Sequence, residues 1–292
     1  MLIDVNQTIS EKKNEFEILY ENKSIYTATL PFIDIIGIFN LENLRKIKVY
    51  DKNNNLKYKT EYNYVDNQLE EFIPFKYLIT NSQKFYQLKF INQNDNEDDV
   101  SIFFEMKEVW NGYYVIKYKD VIYKCFSIED GYLRHICIYK DEIQIAELLK
   151  PNVVIDGKDK YRIYLMDEYN YLSDSLSLFA LYLDRTNYNS SYLKNNSKIV
   201  SKKFSYSKVN EYYNPNWVKN NFNAEDYFNK INQEVNKTKN EIMKRFKTLM
   251  IMMGLGFGIC IIIAILLLII LLWIWYLEKI NLLQTNKLIF LL

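Results

Sequence analysis

Near the C-terminus, Leu249 to Tyr276 reads LMIMMGLGFGICIIIAILLLIILLWIWY, 28 residues without a charge. About 20 apolar residues suffice to cross the hydrocarbon core of a bilayer. The stretch therefore predicts one transmembrane helix with length to spare for tilt, the alternative being a helix buried in a globular core. Trp273, Trp275 and Tyr276 gather at one end, as interfacial aromatics do. Lys237, Lys239, Lys244, Arg245 and Lys247 precede the block, and only Lys279 and Lys287 follow it. The positive-inside rule then predicts a single-pass, tail-anchored protein with a cytoplasmic N-terminal part and a short tail at 277–292. Gly254 and Gly258 form a G-x-x-x-G pair, and Gly256, Cys260 and Ala264 make a second ladder of small residues. Both predict close packing of a partner helix, hence a possible homo-oligomer, although glycine is common in membrane helices in any case.

Ahead of this block, residues 223–248 read as a stalk helix. Asn223 is the candidate N-cap, Glu225 and Asp226 fill the first turn, and Phe228, Ile231, Val235 and Ile242 recur at roughly helical spacing. The N-terminus, MLIDVNQTISEKKNEF, lacks an apolar h-region and reads as an extension at 1–15 rather than a secretory signal. Without export, the three cysteines are expected to stay reduced.

From about Phe16 to Met166 the apolar residues alternate with period two. KIKVYDKNNNLKYKTEYN (46–63) reads as two strands about a polar turn, with Leu56, Tyr58, Thr60 and Tyr62 on one face. Further strands follow at 84–91, 100–110, 113–118, 121–128, 132–139, 142–148 and 161–166. They are separated by short breaks at Asn111-Gly112, Lys119-Asp120, Glu129-Asp130-Gly131 and Lys140-Asp141. Such spacing predicts an antiparallel meander closing into a barrel or sandwich. SLSLFALYLD then forms an apolar run with no polar face, with Ser173 or Asp174 as candidate N-cap. Eight to ten helical residues cover about 12–15 Å, half a bilayer, so a helix at about 173–185 must be buried in protein unless the run is one more strand.

A meander of strands followed by one short, wholly apolar helix resembles the tubby C-terminal superfamily, which includes tubby proteins, phospholipid scramblases and plant LURP-one-related proteins. The resemblance rests on three stretches: KIKVYDKNNNLKYKTEYN, YVIKYKDVIYKCFSIEDGYLRHICIYKDEIQIAELLK, and DKYRIYLMDEYNYLSDSLSLFALYLD (159–184). It covers about residues 20–188 and looks like a bacterial-type member with an added anchor. The first hairpin departs from the family pattern, with Asn53-Asn54-Asn55 where glycine is usual. The resemblance implies a mainly β fold over 16–222: a closed antiparallel barrel around a central hydrophobic helix. It also implies a non-enzymatic module that binds lipid or organises membrane, with scrambling as a narrower expectation.

One basic stretch suits that role. From Arg185 to Asn210 there is no acid, and Arg185, Lys194, Lys198, Lys202, Lys203 and Lys208 interleave with Tyr188, Tyr192, Phe204 and Tyr206. In a tethered protein such a segment can rest on anionic lipid; a solvated linker is the alternative. A net charge of +1 argues against a nucleic-acid partner. Cys125, His135 and Cys137 would share one face if the turn at 129–131 made opposed residue numbers sum to about 260. They lack knuckle spacing and a fourth ligand, so ordinary barrel positions are expected and no metal. With one histidine and no Gly-rich phosphate loop, neither an enzyme nor a cofactor is expected. Asp51-x-Asn53-x-Asn55 starts like a calcium loop but has Leu56 at the glycine position. The acidic run at 95–99 reads as a solvated loop, with a weak calcium site as the other possibility. The competing functional reading is a cytoplasmic protein-interaction module that the anchor displays at the membrane.

Overall fold

The computed structural model describes residues 1–9, 14–30, 46–61, 73, 76–108, 111–130, 132–152, 158–188, 211–237, 240, 243–244, 246–248, 250 and 266–272. The chain divides into two compact units, Met1–Val235 and Asn236–Leu292.

Alternation carries the first unit. Twelve strands run antiparallel in chain order: β1 (Leu2–Ile9), β2 (Asn14–Tyr20), β3 (Lys23–Leu30), β4 (Lys48–Asp51), β5 (Leu56–Glu61), β6 (Gln83–Asn92), β7 (Val100–Glu108), β8 (Asn111–Tyr118), β9 (Val121–Asp130), β10 (Leu133–Lys140), β11 (Ile143–Pro151) and β12 (Lys160–Leu165). Each pairs with its neighbour, and β1 pairs with β12 through Ile3↔Ile163 and Val5↔Tyr161, so the sheet closes into a barrel without free edges. The residues read as an N-terminal extension thus supply the closing strand. Their own alternation, Ile3 and Val5 inward with Asp4 outward, suits this role.

Tight turns follow from residues that tolerate the left-handed region. Glu21-Asn22 and Lys119-Asp120 both take positive φ, the geometry two-residue hairpins require. In the first predicted hairpin Asn54 takes φ 63° in place of glycine. The Asp51 carboxylate accepts from the backbone N–H of Asn53 and Asn55 at 2.9 and 2.8 Å, and from Asn55 Nδ2 at 3.1 Å. These bonds hold its pKa below the usual carboxylate range. The carboxylate that looked like a calcium ligand is the clamp of this turn. Gly112, the second residue of β8, stands where a Cβ would collide with the Phe104 ring.

Inside the barrel lies helix α1 (Ser173–Leu183), entered through a 3₁₀ turn at Asp167–Leu172 and left through a wide turn at Asp184–Tyr188. Every residue from Ser175 to Leu183 is buried, and Leu176, Leu178, Phe179, Leu181 and Tyr182 share one core with the inward side chains of the strands. The length argument for a buried helix holds. Ser173 and Asp174 do not cap it: the N-cap is Leu172, with no side-chain cap, and Asp174 serves elsewhere.

Past the barrel, helix α2 (Trp217–Asn221) and a helix at 225–237 follow. The predicted stalk does not stand clear of the barrel over its first part. Trp217, Val218 and Ala224 pack on Leu149 and Tyr164 of the outer wall, and Ile231 and Val235 pack on Leu133. Among the described residues no helix is long and apolar enough to cross a membrane. The predicted span at 249–276 lies outside them except for Met250 and 266–272, which are helical and expose their side chains. Gly254, Gly256, Gly258 and Ala264 lie outside the described residues.

Candidate functional site

Of the predicted lipid-contacting residues, Lys194, Lys198, Lys202, Lys203 and Lys208 lie outside the described residues. Arg185 does not belong to that surface: it is 6% exposed, two residues past the buried helix. The apolar run that makes α1 a lumen helix carries its next turn into the barrel, and Arg185 with it.

Three groups of polar residues bear on how the helix and the C-terminal segment are held. At the mouth where α1 begins, Asp174 receives three tyrosine hydroxyls. Tyr20 donates to Oδ1 at 2.7 Å, and Tyr58 and Tyr26 donate to Oδ2 at 2.8 and 3.1 Å. The carboxylate sits in the first turn of the helix, where the dipole favours an anion. Burial, reinforced by the Asp174 charge, pushes all three phenols above their ordinary range. The cluster locks the helix to β2, β3 and β5. Tyr58→Phe should lower stability by about 1.5–3 kcal/mol, the worth of a hydrogen bond to a charged group, read as a lower midpoint in denaturant.

At the opposite mouth, Tyr161 donates to Asp184 Oδ1 at 2.8 Å, and Lys150 pairs with Asp159 at 2.6 Å. Asp184 is 1% exposed. Burial first, and the nearby Asp159 charge second, push its pKa up to about 7. Lys150 and Arg185 oppose that shift.

The third place is the outer wall beneath the docked C-terminal segment. His135 Nδ1 lies 2.7 Å from Glu147 Oε1, and Gln144 Nε2 donates to Glu147 Oε2 at 3.1 Å. Tyr213 packs edge-on to His135 at 5.1 Å, and Tyr212 stacks on Phe126 at 3.9 Å. Arg162 forks onto Asp4 at 2.7 and 2.8 Å and lies 4.2 Å from the Tyr227 ring centre.

The three soft residues considered as a metal set are not one site. The β9–β10 register pairs His135 with Ile128 and Cys125 with Ile138, so opposed numbers sum to 263 rather than 260. An odd shift of register reverses every side chain. Cys125 therefore points into the lumen core while Cys137 lies on the outer wall with Phe126 and Val115. Burial pushes both thiols up, away from thiolate chemistry. In the acidic loop, Asp98 pairs with Lys119 at 3.0 Å and accepts from Tyr118 at 2.8 Å, and Asp99 pairs with Lys89 at 2.9 Å. Asp95 accepts from the N–H of Glu97. Among the described residues, no group of three or more His, Cys, Asp or Glu is arranged to hold a metal ion.

Fold and polar clusters together define a class: an antiparallel barrel of twelve strands, closed and filled by its own helix, with polar knots at both mouths. No family model, curated protein or solved structure matches the chain.

Proposed function

We propose that this chain is a membrane-anchored module of the tubby-like kind that works at an anionic lipid surface. The supporting observation is the closed meander barrel wrapped on the wholly buried helix Ser173–Leu183. It agrees with the organisation that the sequence resemblance implies. The uncharged block at 249–276 supplies the anchor, and the five lysines from Lys194 to Lys208 supply the attraction, about 1 kcal/mol for each lysine near the surface. Arg185 takes no part, being committed to the barrel mouth. A cytoplasmic location and pairing of chains through the Gly254/Gly258 ladder belong to the same reading.

Flotation on vesicles tests it. Full-length protein should float with phosphatidylcholine vesicles at any salt. A chain ending at 237, which keeps the segment docked on the barrel wall, should float only when phosphatidylserine is present. Its binding should fade as salt rises. A folded 1–237 chain that floats with no lipid would sink the lipid-binding reading and leave the displayed interaction module.

A further inference from the structure

Closure of the sheet sorts the surface charges by side. Strands β4 to β9 form half of the wall. Val49, Tyr58, Phe90, Ile116 and Tyr123 point into the core, so a period of two turns Lys48, Lys59, Lys89, Lys117 and Lys124 outward. Lys84 and Lys107 join them, with their ammonium groups 4.9 and 5.9 Å from the centres of the outward Phe103 and Tyr113 rings. On β1, β2 and β11 the outward charges are instead Asp4, Glu15, Glu17 and Glu147. β12 adds Lys160 and Arg162, the second forked onto Asp4. A chain of net charge +1 thus carries one basic half-barrel.

The register gathers these lysines rather than pairing them off. Lys48 stands directly opposite Lys59, and Lys89 and Lys117 flank Ser101 from either side. Like charges facing across a ladder destabilise a sheet, so the fold gains nothing from Lys48 beside Lys59. Acids do reach this wall. Glu61 stands opposite Lys89 and Glu105 opposite Lys84, while Asp99 and Asp120 pair with Lys89 and Lys117 at 2.9 Å each. Among the described residues, Lys48, Lys59 and Lys124 pair with no acid.

The covering of the barrel points to the same side. The docked segment, from Tyr212 on Phe126 to Val235 beside Leu133, lies over β9 to β12 and leaves Lys48, Lys89, Lys117 and Lys124 exposed. A convex wall encloses no small anion. Its cations are lysines, compact charges on flexible stems, where arginine forks would grip single phosphates. Ammonium groups spread over a convex face suit an extended, diffuse negative surface.

We propose that the β4–β9 wall is the face the barrel lays on a bilayer rich in anionic lipid. The proposal rests on the lipid-surface reading above and adds the wall to the lysines from Lys194 to Lys208 as a source of attraction.

The test uses the full chain carrying Cys260→Ser; Cys125 and Cys137 are buried and spared by a thiol probe. Ser101→Cys, on the basic wall, or Glu17→Cys, on the other side, is labelled with a fluorescent dye. Each protein is reconstituted into phosphatidylcholine–phosphatidylserine vesicles containing a lipid with a nitroxide on its headgroup. The dye at 101 should be quenched severalfold more than the dye at 17, and high salt or omission of phosphatidylserine should remove the difference. Adding Lys48→Gln, Lys59→Gln, Lys117→Gln and Lys124→Gln together should bring quenching at 101 down to the level at 17, in protein that melts no lower than its parent. Equal or greater quenching at 17 overturns the orientation. A quadruple variant quenched like its parent overturns the role of the wall and leaves Lys194 to Lys208 to carry the lipid reading. No quenching at either site in protein that floats with the vesicles also overturns the proposal, and leaves the wall to an acidic protein partner. Protein that does not float removes the anchor reading and this proposal with it.

Discussion

Phe179→Asp is expected to abolish the folded barrel. Phe179 is fully buried in the lumen helix, with the rings of Tyr114 and Tyr182 at 5.7 and 6.4 Å. Removing such a ring alone costs about 3–5 kcal/mol. An uncompensated carboxylate in the same place adds several more, or binds a proton and still leaves a buried polar group. Typical domains hold only about 5–15 kcal/mol in reserve. The variant should lack a cooperative thermal transition and be digested rapidly by a nonspecific protease. Phe179→Leu, which keeps most of the volume, should fold and melt only slightly lower. If the uncharged block at 249–276 is the anchor proposed above, carbonate extraction should still leave Phe179→Asp in the membrane fraction. A Phe179→Asp protein with a wild-type melt would mean that this helix does not fill the lumen.

The elements most legible in the sequence are those whose cause is local. The strands from β6 to β12 declare themselves by alternation, and α1 by an apolar run too short for a bilayer. What escaped the sequence depends on pairings between distant residues. The strand Leu2–Ile9 alternates as plainly as the rest, but its reason for existing is β12, more than 150 residues away. The β9–β10 hairpin shows how little separates a right from a wrong face. Placing the turn on 129–131 treats Glu129 and Asp130 as loop, whereas both are paired, Asp130 with Leu133 and Glu129 with Arg134. The three-residue difference in register separates Cys125 from Cys137. With 26 tyrosines in the chain, nothing local marks Tyr20, Tyr26 and Tyr58 as partners of Asp174. Only barrel closure brings them to one carboxylate. Arg185 illustrates the opposite error: composition groups it with the lysines that follow, while the helix that precedes it carries it indoors.

Asp184→Asn is expected to stabilise the protein at neutral pH and to remove part of its acid dependence. The carboxyl is buried at the C-terminal end of α1, where the helix dipole also disfavours an anion. Its pKa is pushed up to about 7, whereas in the unfolded chain it titrates near the ordinary value of 3.8. Between roughly pH 4 and 7 the folded protein therefore holds a proton that the unfolded chain has released. Stability must fall as pH rises through that window and level off on either side. The effect accumulates at about 1.4 kcal/mol for each unit separating the two pKa values. Asparagine is nearly isosteric, its Oδ1 still accepts from Tyr161, and it does not titrate. Chemical denaturation at pH 4, 6 and 8 should show the wild-type protein losing stability across the series and the variant losing less. The two proteins should be furthest apart at pH 8, with the variant more stable. A variant that is less stable at pH 8 would mean that the ionised carboxylate is the form the barrel mouth uses, held by Lys150 and Arg185. The asymmetry between the two mouths would then disappear. On the present geometry Asp174, at the favourable end of the helix and ringed by three hydroxyl donors, is a lock, whereas Asp184 is a strained group that the mouth tolerates best when protonated.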